Sequence, residues 1–417
     1  MNLRLRLRGA AGSETAFTAA GNALVLVGNI ATGVISARFL GAQKRGEFLT
    51  VYTWAGVVGL FLNGAAFHAL VSYAKRGLPT SRIRWFVAQH LLLTAAGASV
   101  IGWVALAATG VSWLTPAHVI GGALFTVATV SGADMAGIAI GYGDLRRGLQ
   151  EVRLAPIITS LAAMVALTLA GDRSPGHWLI VAGAARLAPN LVWLKMLAAN
   201  PSPPEPGADQ IRFSTVARTA GRLYLAGLAA QVNYRLDLLA VSVLLDRAAV
   251  ANYGVAAAAA TAVASIGQAV GMVSFGEISS PGARSTAVAT ARKGARQAAI
   301  FSSAIAIPVA IASPVLVGLL YGPQYHAAVV PTIILVLAAV PLSIEFLLIH
   351  HFIGVPDALR PLYLTLGITS LLTVVGVSVL TVLTRSLTAV ALVSPVVYTA
   401  SMLLLLRFSR HLGVDGS

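Results

Sequence analysis

Gln231-Val232-Asn233-Tyr234-Arg235-Leu236-Asp237 places two amides and two charges inside a run, Leu223 to Leu245, that otherwise reads as one membrane helix. A charged side chain at bilayer depth costs from about 2.5 kcal/mol upward, so such residues mark a pathway or a tie between helices. Reading this run as a span decides the class of the whole chain, and the composition agrees. Of 417 residues, 57% are hydrophobic and only 10% charged, and the mean hydropathy is +0.82. That describes a chain whose main solvent is lipid, not the two or three soluble domains its length would otherwise suggest. The chain has no cysteine, which excludes disulfides and thiolate metal sites and leaves the redox compartment unmarked. A net charge of +15 would point to nucleic acid in a soluble protein. Here it fits the Lys and Arg excess of cytoplasmic membrane-protein loops, and no nucleic-acid partner is expected. Met1 to Gly9 alternate leucine with Arg4, Arg6 and Arg8, and the long apolar run that follows lacks a small-residue cleavage site, so no cleaved signal peptide is expected.

A span needs about 20 mostly apolar residues. Twelve runs qualify: Phe17–Ala37, Phe48–Tyr73, Trp85–Thr109, Val119–Tyr142, Leu154–Ala170, Trp178–Ala198, Gly221–Leu245, Ala251–Phe275, Ala298–Leu320, Ala328–Ile353, Leu362–Leu383 and Leu387–Leu406. With the N-terminus inside, 21 of the 29 Lys and Arg fall in inside segments and six outside, namely Arg38, Lys44, Arg45, Arg173, Arg247 and Arg385. Arg186 and Arg235 fall within spans. This asymmetry predicts both termini in the cytoplasm of a multi-pass protein of the cell membrane. Three of the six exceptions crowd the first outside loop, which the rule does not explain.

Asn200-Pro-Ser-Pro-Pro-Glu-Pro-Gly-Ala-Asp209 cannot continue a helix and divides the chain nearly in half. It predicts a six-helix bundle over 1–199, a cytoplasmic linker over 200–215 and a second six-helix bundle over 216–417. The halves echo each other: Leu40-Gly41, four residues, then Gly46-Glu47-Phe48 is matched 205 positions later by Leu245-Asp246 and Ala251-Asn252-Tyr253. Six spans is an even number, so both halves enter the membrane in the same direction. The expectation is an all-α polytopic membrane protein, two parallel-repeat bundles around a central cavity. Gly132, Gly137 and Gly141 in span four, and the prolines of several spans, suit close packing and fixed kinks.

Motifs for soluble chemistry are missing: there is no phosphate-binding Gly-x-x-x-x-Gly-Lys-Ser/Thr, no Asp-x-Asp, no His-Glu-x-x-His and no Gly-x-Ser-x-Gly. Adjacent His350 and His351 lie about 100° apart on a helix, a poor metal pair better read as polar lining. An enzyme is therefore not expected. What remains is the set of ionisable residues within spans: Asp134, Arg186, Arg235, Asp237 and Glu345. Arg235 and Asp237 are two apart and point to roughly opposite sides of their helix, so they do not simply satisfy each other. Asp237 shares a face with Asn233 and Tyr234. Arg186 and Asn190 form a stripe around Pro189, and Asn22 and Asn29 another that leads to Arg38.

Several stretches resemble the polysaccharide transporter branch, which contains the O-antigen flippases, of the multidrug/oligosaccharidyl-lipid/polysaccharide exporter superfamily. They are Asn29 through Ser36-Ala37-Arg38-Phe39-Leu40-Gly41 with Arg45-Gly46-Glu47-Phe48; Asn233-Tyr234-Arg235-Leu236-Asp237 with Asn252-Tyr253-Gly254-Val255-Ala256; and Leu319-Leu320-Tyr321-Gly322-Pro323-Gln324-Tyr325. They are spread over the whole chain in the family's order. The lipid II flippase branch departs from this layout by two further helices. The resemblance implies a central cavity, alternating access, and transfer of a lipid-linked saccharide from the cytoplasmic to the outer leaflet, driven by an ion gradient. The implied substrate is of the undecaprenyl-pyrophosphate type, with membrane lipids around it and polysaccharide polymerase machinery as an expected partner.

An anionic head must cross about 30 Å of hydrocarbon, and arginines in a shielded cavity bind pyrophosphate through bidentate, charge-assisted bonds. Arg38, Arg186 and Arg235 are the candidates for that role, with Asn29, Asn233 and Tyr234 for the sugar hydroxyls. Asp134, Asp237 and Glu345 are candidates for H⁺ or Na⁺ coupling, with no other cofactor and no metal. Two alternatives stand beside this reading. A multidrug/cation antiporter of the same superfamily would want acids in its cavity, and two arginines against three acids leave that test undecided. A membrane glycan polymerase or ligase would present an extended outside loop, and the outside loops here are short.

Overall fold

The computed structural model describes residues 2–63, 66–75, 79–141, 147–199, 236–278, 287–354 and 359–411, with 221, 224, 228 and 234. Among these there is no strand. The helices are α1 (Asn2–Asn63), α2 (Ala66–Lys75), α3 (Thr80–Thr109), α4 (Pro116–Gly141), α5 (Arg147–Leu169) and α6 (Pro175–Ala199). After them come a helical stretch, α7, at 236–244, then α8 (Arg247–Ile278), α9 (Ala287–Tyr321), a 3₁₀ turn (Pro323–Ala328), α10 (Val329–Gly354), α11 (Leu359–Thr384), α12 (Leu387–Ala391) and α13 (Val393–His411). Ten described helices are long and apolar enough to cross a membrane. The first of them, in α1, takes in most of predicted spans one and two, which meet at Gly41, and the predicted seventh span is described without gaps only from 236 on, which accounts for the difference from the twelve runs of the sequence. The chain is an all-α multi-pass membrane protein.

The burial pattern inverts that of a soluble protein. On α11 the threonines Thr365, Thr369, Thr373 and Thr381 face inward, while Leu364, Leu371, Leu372 and Leu383 are exposed. Thr369, Thr373 and Thr381 each donate their hydroxyl to the carbonyl four residues back. Their polarity is thus consumed within the helix, and small side chains let the helices approach. The leucines outside meet lipid, to which they are matched. α3 repeats the arrangement, with Thr94 and Ala98 buried and Leu92, Leu93, Val100 and Val104 exposed.

The chain forms two compact units. The first holds Met1–Leu40 and Val51–Tyr224. Its centre is α4, packed along α6, α3 and α2, around Leu70, Ile83, Val87, Val130, Met135 and Ile138. Glycine sets these distances: a Cβ on Gly121 would lie 2.4 Å from Cβ of Leu179, and one on Gly137 would lie 2.8 Å from the Phe67 carbonyl oxygen. The second unit holds Leu225–Ser417 together with Gly41–Thr50. Its centre is α10, wrapped by α8, α9 and α13. A Cβ on Gly267 would come within 2.1 Å of the Ser343 carbonyl oxygen, so α8 and α10 cross backbone to backbone.

The assignment of Gly41–Thr50 departs from the sequence reading, which placed an outside loop between spans one and two. There is no loop: α1 continues through Gly41, whose φ of 73° and ψ of 171° only glycine adopts without strain. The helix resumes at once, and its next ten residues pack into the second unit. The predicted linker at 200–215 lies outside the described residues.

Candidate functional site

In the first unit, α3 and α4 meet at a histidine and an aspartate. His90 Nδ1 lies 2.9 Å from Asp134 Oδ2, and His90 Nε2 lies 3.0 Å from the Leu62 carbonyl oxygen. Asp134 is fully buried, and its Oδ1 has no hydrogen-bond partner among the described residues. Nearby, Tyr224 donates to the carbonyls of Leu60 at 2.9 Å and Phe61 at 3.2 Å. Two side chains from distant parts of the unit thus bond to this stretch of α1.

On α6, Arg186 spreads its guanidinium over two aromatic rings, 5.0 Å from the centre of Phe125 and 5.9 Å from that of Tyr52. It is half-buried, its Nε has no hydrogen-bond partner, and no carboxylate pairs with it among the described residues. Aromatic faces attract a cation without neutralising it, so Arg186 keeps its capacity for an anion. One turn on, Asn190 donates 2.8 Å to Ser131 Oγ, and its own Oδ1 has no partner among the described residues. Asn29 and Arg38, the other candidates of this unit, are exposed on α1.

The second unit carries two further buried acids. Tyr253 of α8, itself fully buried, donates a 2.7 Å hydrogen bond to Asp237 Oδ2, and the Leu238 amide donates 2.7 Å to Oδ1. Ser401 of α13 donates 2.7 Å to Glu345 Oε1 on α10, and Glu345 Oε2 has no partner among the described residues. Tyr398 lies within electrostatic range of both acids and of Tyr234. Tyr234 packs edge-on against Phe346, 5.9 Å between centres, and its hydroxyl meets that of Thr261. A buried carboxylate needs partners, and Tyr253, the Leu238 amide and Ser401 supply hydrogen bonds to these two acids. Arg235 and Asn233 lie outside the described residues. His351 is buried with neither ring nitrogen bonded, not lining an open space, and among the described residues no cluster of three or more His, Asp or Glu is poised for a metal.

The second unit also brings together the three motif stretches singled out in the sequence. Arg45, 2% exposed, lies 5.3 Å and 5.2 Å from the ring centres of Tyr321 and Tyr325, and donates 3.3 Å to the Ala251 carbonyl. Glu47 accepts a 2.5 Å bond from Arg247. A Cβ on Gly46 would stand 1.8 Å from the Arg247 carbonyl oxygen, and Leu49 fills the space that Gly254 leaves empty. Of the six basic residues assigned outside, Arg45 and Arg247 have internal partners, whereas Arg38 and Lys44 are exposed. Leu49 and Gly254 are separated by the same 205 positions that relate the two halves of the sequence, so the echoing segments pack on one another. Sequence reasoning missed His90, because a histidine in a span carries no obvious charge. It missed the partners of Arg45 because each motif was read alone.

Comparison with known proteins finds no matching family model and no matching curated protein. Solved structures do match. The lipid II flippase MurJ in an inward closed conformation is 13% identical with a TM-score of 0.71, over 96% of this chain and 90% of that one. An outward-facing multidrug resistance MATE family transporter of the MOP superfamily is 12% identical with a TM-score of 0.67, over 95% and 94%. An inward-facing one is 14% identical with a TM-score of 0.66, over 94% and 96%. The chain therefore has the fold that these flippase and multidrug transporter structures share.

Proposed function

We propose that this protein moves a lipid-linked saccharide with an anionic, pyrophosphate-type head across the cytoplasmic membrane by alternating access, as a step in building a cell-surface polysaccharide. The observation that carries the reading is Arg186, a half-buried guanidinium held by Phe125 and Tyr52 with no carboxylate paired to it among the described residues. Such a group is suited to a diphosphate and repels a cationic drug. The buried acids Asp237 and Glu345 serve coupling: they take up H⁺ or Na⁺ from the gradient and release it on the other side. Asn29, Arg38, Asn233, Tyr234 and Arg235 complete the substrate contacts in this reading. The 21-to-6 distribution of basic residues supports cytoplasmic termini. Carrying a solute through the bilayer calls for no covalent step, in keeping with a transporter rather than an enzyme.

A cation antiporter is the second reading, and the acid pair of the second unit favours it. Proteoliposomes separate the two. A fluorescent polyprenyl-pyrophosphate disaccharide is supplied on one leaflet, and in parallel a cationic dye is loaded inside. Flipping of the glycolipid that is lost in Arg186→Ala, with no dye efflux, supports the proposal. Dye efflux that Arg186→Ala leaves intact, with no flipping, overturns it in favour of the antiporter.

A further inference from the structure

We infer that a slot between α5 and α6, beside Pro189, seats one acyl chain of an anionic phospholipid whose head phosphate is held by Lys195. Both helices belong to the first unit. The slot has a volume of about 430 Å³, within the range of built ligand pockets. Ala155 and Thr159 of α5 line one side, Ala188, Pro189 and Val192 of α6 the other, and Trp193 lines it as well.

The sequence explains why the helices part here. Each carries a proline at this level, Pro156 on α5 and Pro189 on α6. Pro189 has no N–H for the Ala185 carbonyl four residues back. Thr159 supplies the missing donor from the other helix: its hydroxyl lies 2.6 Å from the Ala185 oxygen, against 2.9 Å and 3.3 Å from the Ala155 and Pro156 oxygens of its own helix. This bond fixes the separation at one point, and the small side chains of Ala155 and Ala188 leave the space beside it unfilled.

The lining selects hydrocarbon. The Thr159 hydroxyl is engaged with Ala185, and Asn190, 3% exposed, turns its Nδ2 to Ser131 Oγ and the Ala128 carbonyl of α4. Asn190 Oδ1 is buried, away from the slot. Ile158, Leu191, Val192 and Met196 around it are exposed and apolar, so the slot opens on a face that meets lipid. The head follows from charge. Ala188, Val192 and Lys195 recur at i, i+4 and i+7, one stripe of α6. Lys195 is exposed and lies about 10 Å along the axis from Ala188, towards the helix end at Ala199. A lysine near the end of a membrane helix extends its ammonium to the interface, where it meets a phosphodiester as a point charge. A diphosphate is better matched by the fork of a guanidinium, which favours a phospholipid over the glycolipid's own anchor as the occupant.

Trp193 reports on the slot directly. Full-length protein is reconstituted in phosphatidylcholine vesicles containing a minor fraction of phosphatidylglycerol brominated on its chains or, in parallel, of phosphatidylcholine brominated in the same way. Bromine in contact quenches tryptophan, and subtracting the emission of Trp193→Phe isolates the Trp193 signal. Trp103, exposed on α3 and isolated likewise through Trp103→Phe, reports bulk lipid. Brominated phosphatidylglycerol should associate with Trp193 about fivefold better than brominated phosphatidylcholine, the factor that one lysine near the membrane surface supplies, and Trp103 should show no such preference. Lys195→Gln should abolish the preference. Ala155→Leu, or Ala188→Leu if that variant does not fold, fills the slot and should bring Trp193 to the behaviour of Trp103. Equal quenching by the two lipids in the unaltered protein, or a preference that survives either change, overturns the proposal. A brominated polyprenyl phosphate that quenches Trp193 better than phosphatidylglycerol also overturns it and gives the slot to a polyprenyl tail. No transport is measured, so the outcome is independent of the glycolipid reading.

Discussion

Tyr253 donates a 2.7 Å hydrogen bond to Asp237, and so ties α8 to α7 through two groups that are both buried. The bond gives this acid, set in a membrane helix, a buried donor from a neighbouring helix. It also makes the tyrosine hydroxyl, not its ring, the part that matters. Tyr253→Phe should cost about 1–3 kcal/mol, because it leaves a buried acceptor short of a donor. The same change in an Asp237→Asn background should cost less. A double-mutant cycle read by thermal unfolding of the detergent-solubilised protein checks this, and equal costs in the two backgrounds would refute it.

Arg45 makes a second prediction about charge. Arg45→Lys should destabilise the protein at least as much as Arg45→Met. Lysine brings a compact, strongly hydrated charge to a slot shaped for a plane between Tyr321 and Tyr325, whereas methionine fills the slot without a charge to desolvate. Midpoints of thermal unfolding for the two variants decide it, and a lysine variant close to wild type would show that the slot reads charge alone.

Gly46 and Gly254 offer a contrast within one contact. An added Cβ at Gly46 meets the Arg247 backbone at 1.8 Å, and one at Gly254 meets the tip of Leu49 at 2.6 Å. A side-chain tip rotates away; a backbone does not. Gly46→Ala should therefore cost more than about 3 kcal/mol or prevent accumulation, and Gly254→Ala less than about 1.5 kcal/mol. Yield of monodisperse protein and its unfolding midpoint provide the measure.

Glu47 and Arg247 should behave as a unit. Each alanine variant removes one half of the 2.5 Å pair, and the double variant should be milder than the sum of the singles by about 0.5–3 kcal/mol. Strict additivity would mean that the pair contributes nothing of its own.

Glu345→Gln bears on the proposed function. The amide keeps the shape and can still accept from Ser401, but it cannot exchange a proton or neutralise Na⁺. Glycolipid movement in proteoliposomes should lose its acceleration by an imposed ion gradient, while gradient-free equilibration across the bilayer persists. Gradient-driven transport at the wild-type rate would remove Glu345 from the coupling role.

Much of the fold was legible because lipid imposes a single rule, a long apolar run for every crossing, and the chain obeys it even at α3 and α11. Gly41 was visible as a glycine next to a predicted helix end, but a window of hydropathy cannot tell a kink from a loop when charges such as Lys44 and Arg45 follow. The buried acids could be named from sequence, since Asp134 and Glu345 stand alone among apolar neighbours. Their partners could not. Ser401 and Tyr253 are ordinary residues of membrane helices until the fold brings them against an acid, and His90 lies 44 positions from Asp134 with no local pattern linking the two.

The Gly41–Thr50 segment also sets an order of events in biogenesis. It leaves the ribosome early, yet Arg45 donates to a carbonyl 206 residues further along the chain, and Tyr321 and Tyr325 arrive later still. Until then the nascent first half exposes an arginine, a glutamate and a glycine-notched helix surface with nothing to receive them. Synthesis of the second unit is therefore what gives Gly41–Thr50 its partners, and a chain truncated after α6 would present that surface to the membrane's quality-control proteases.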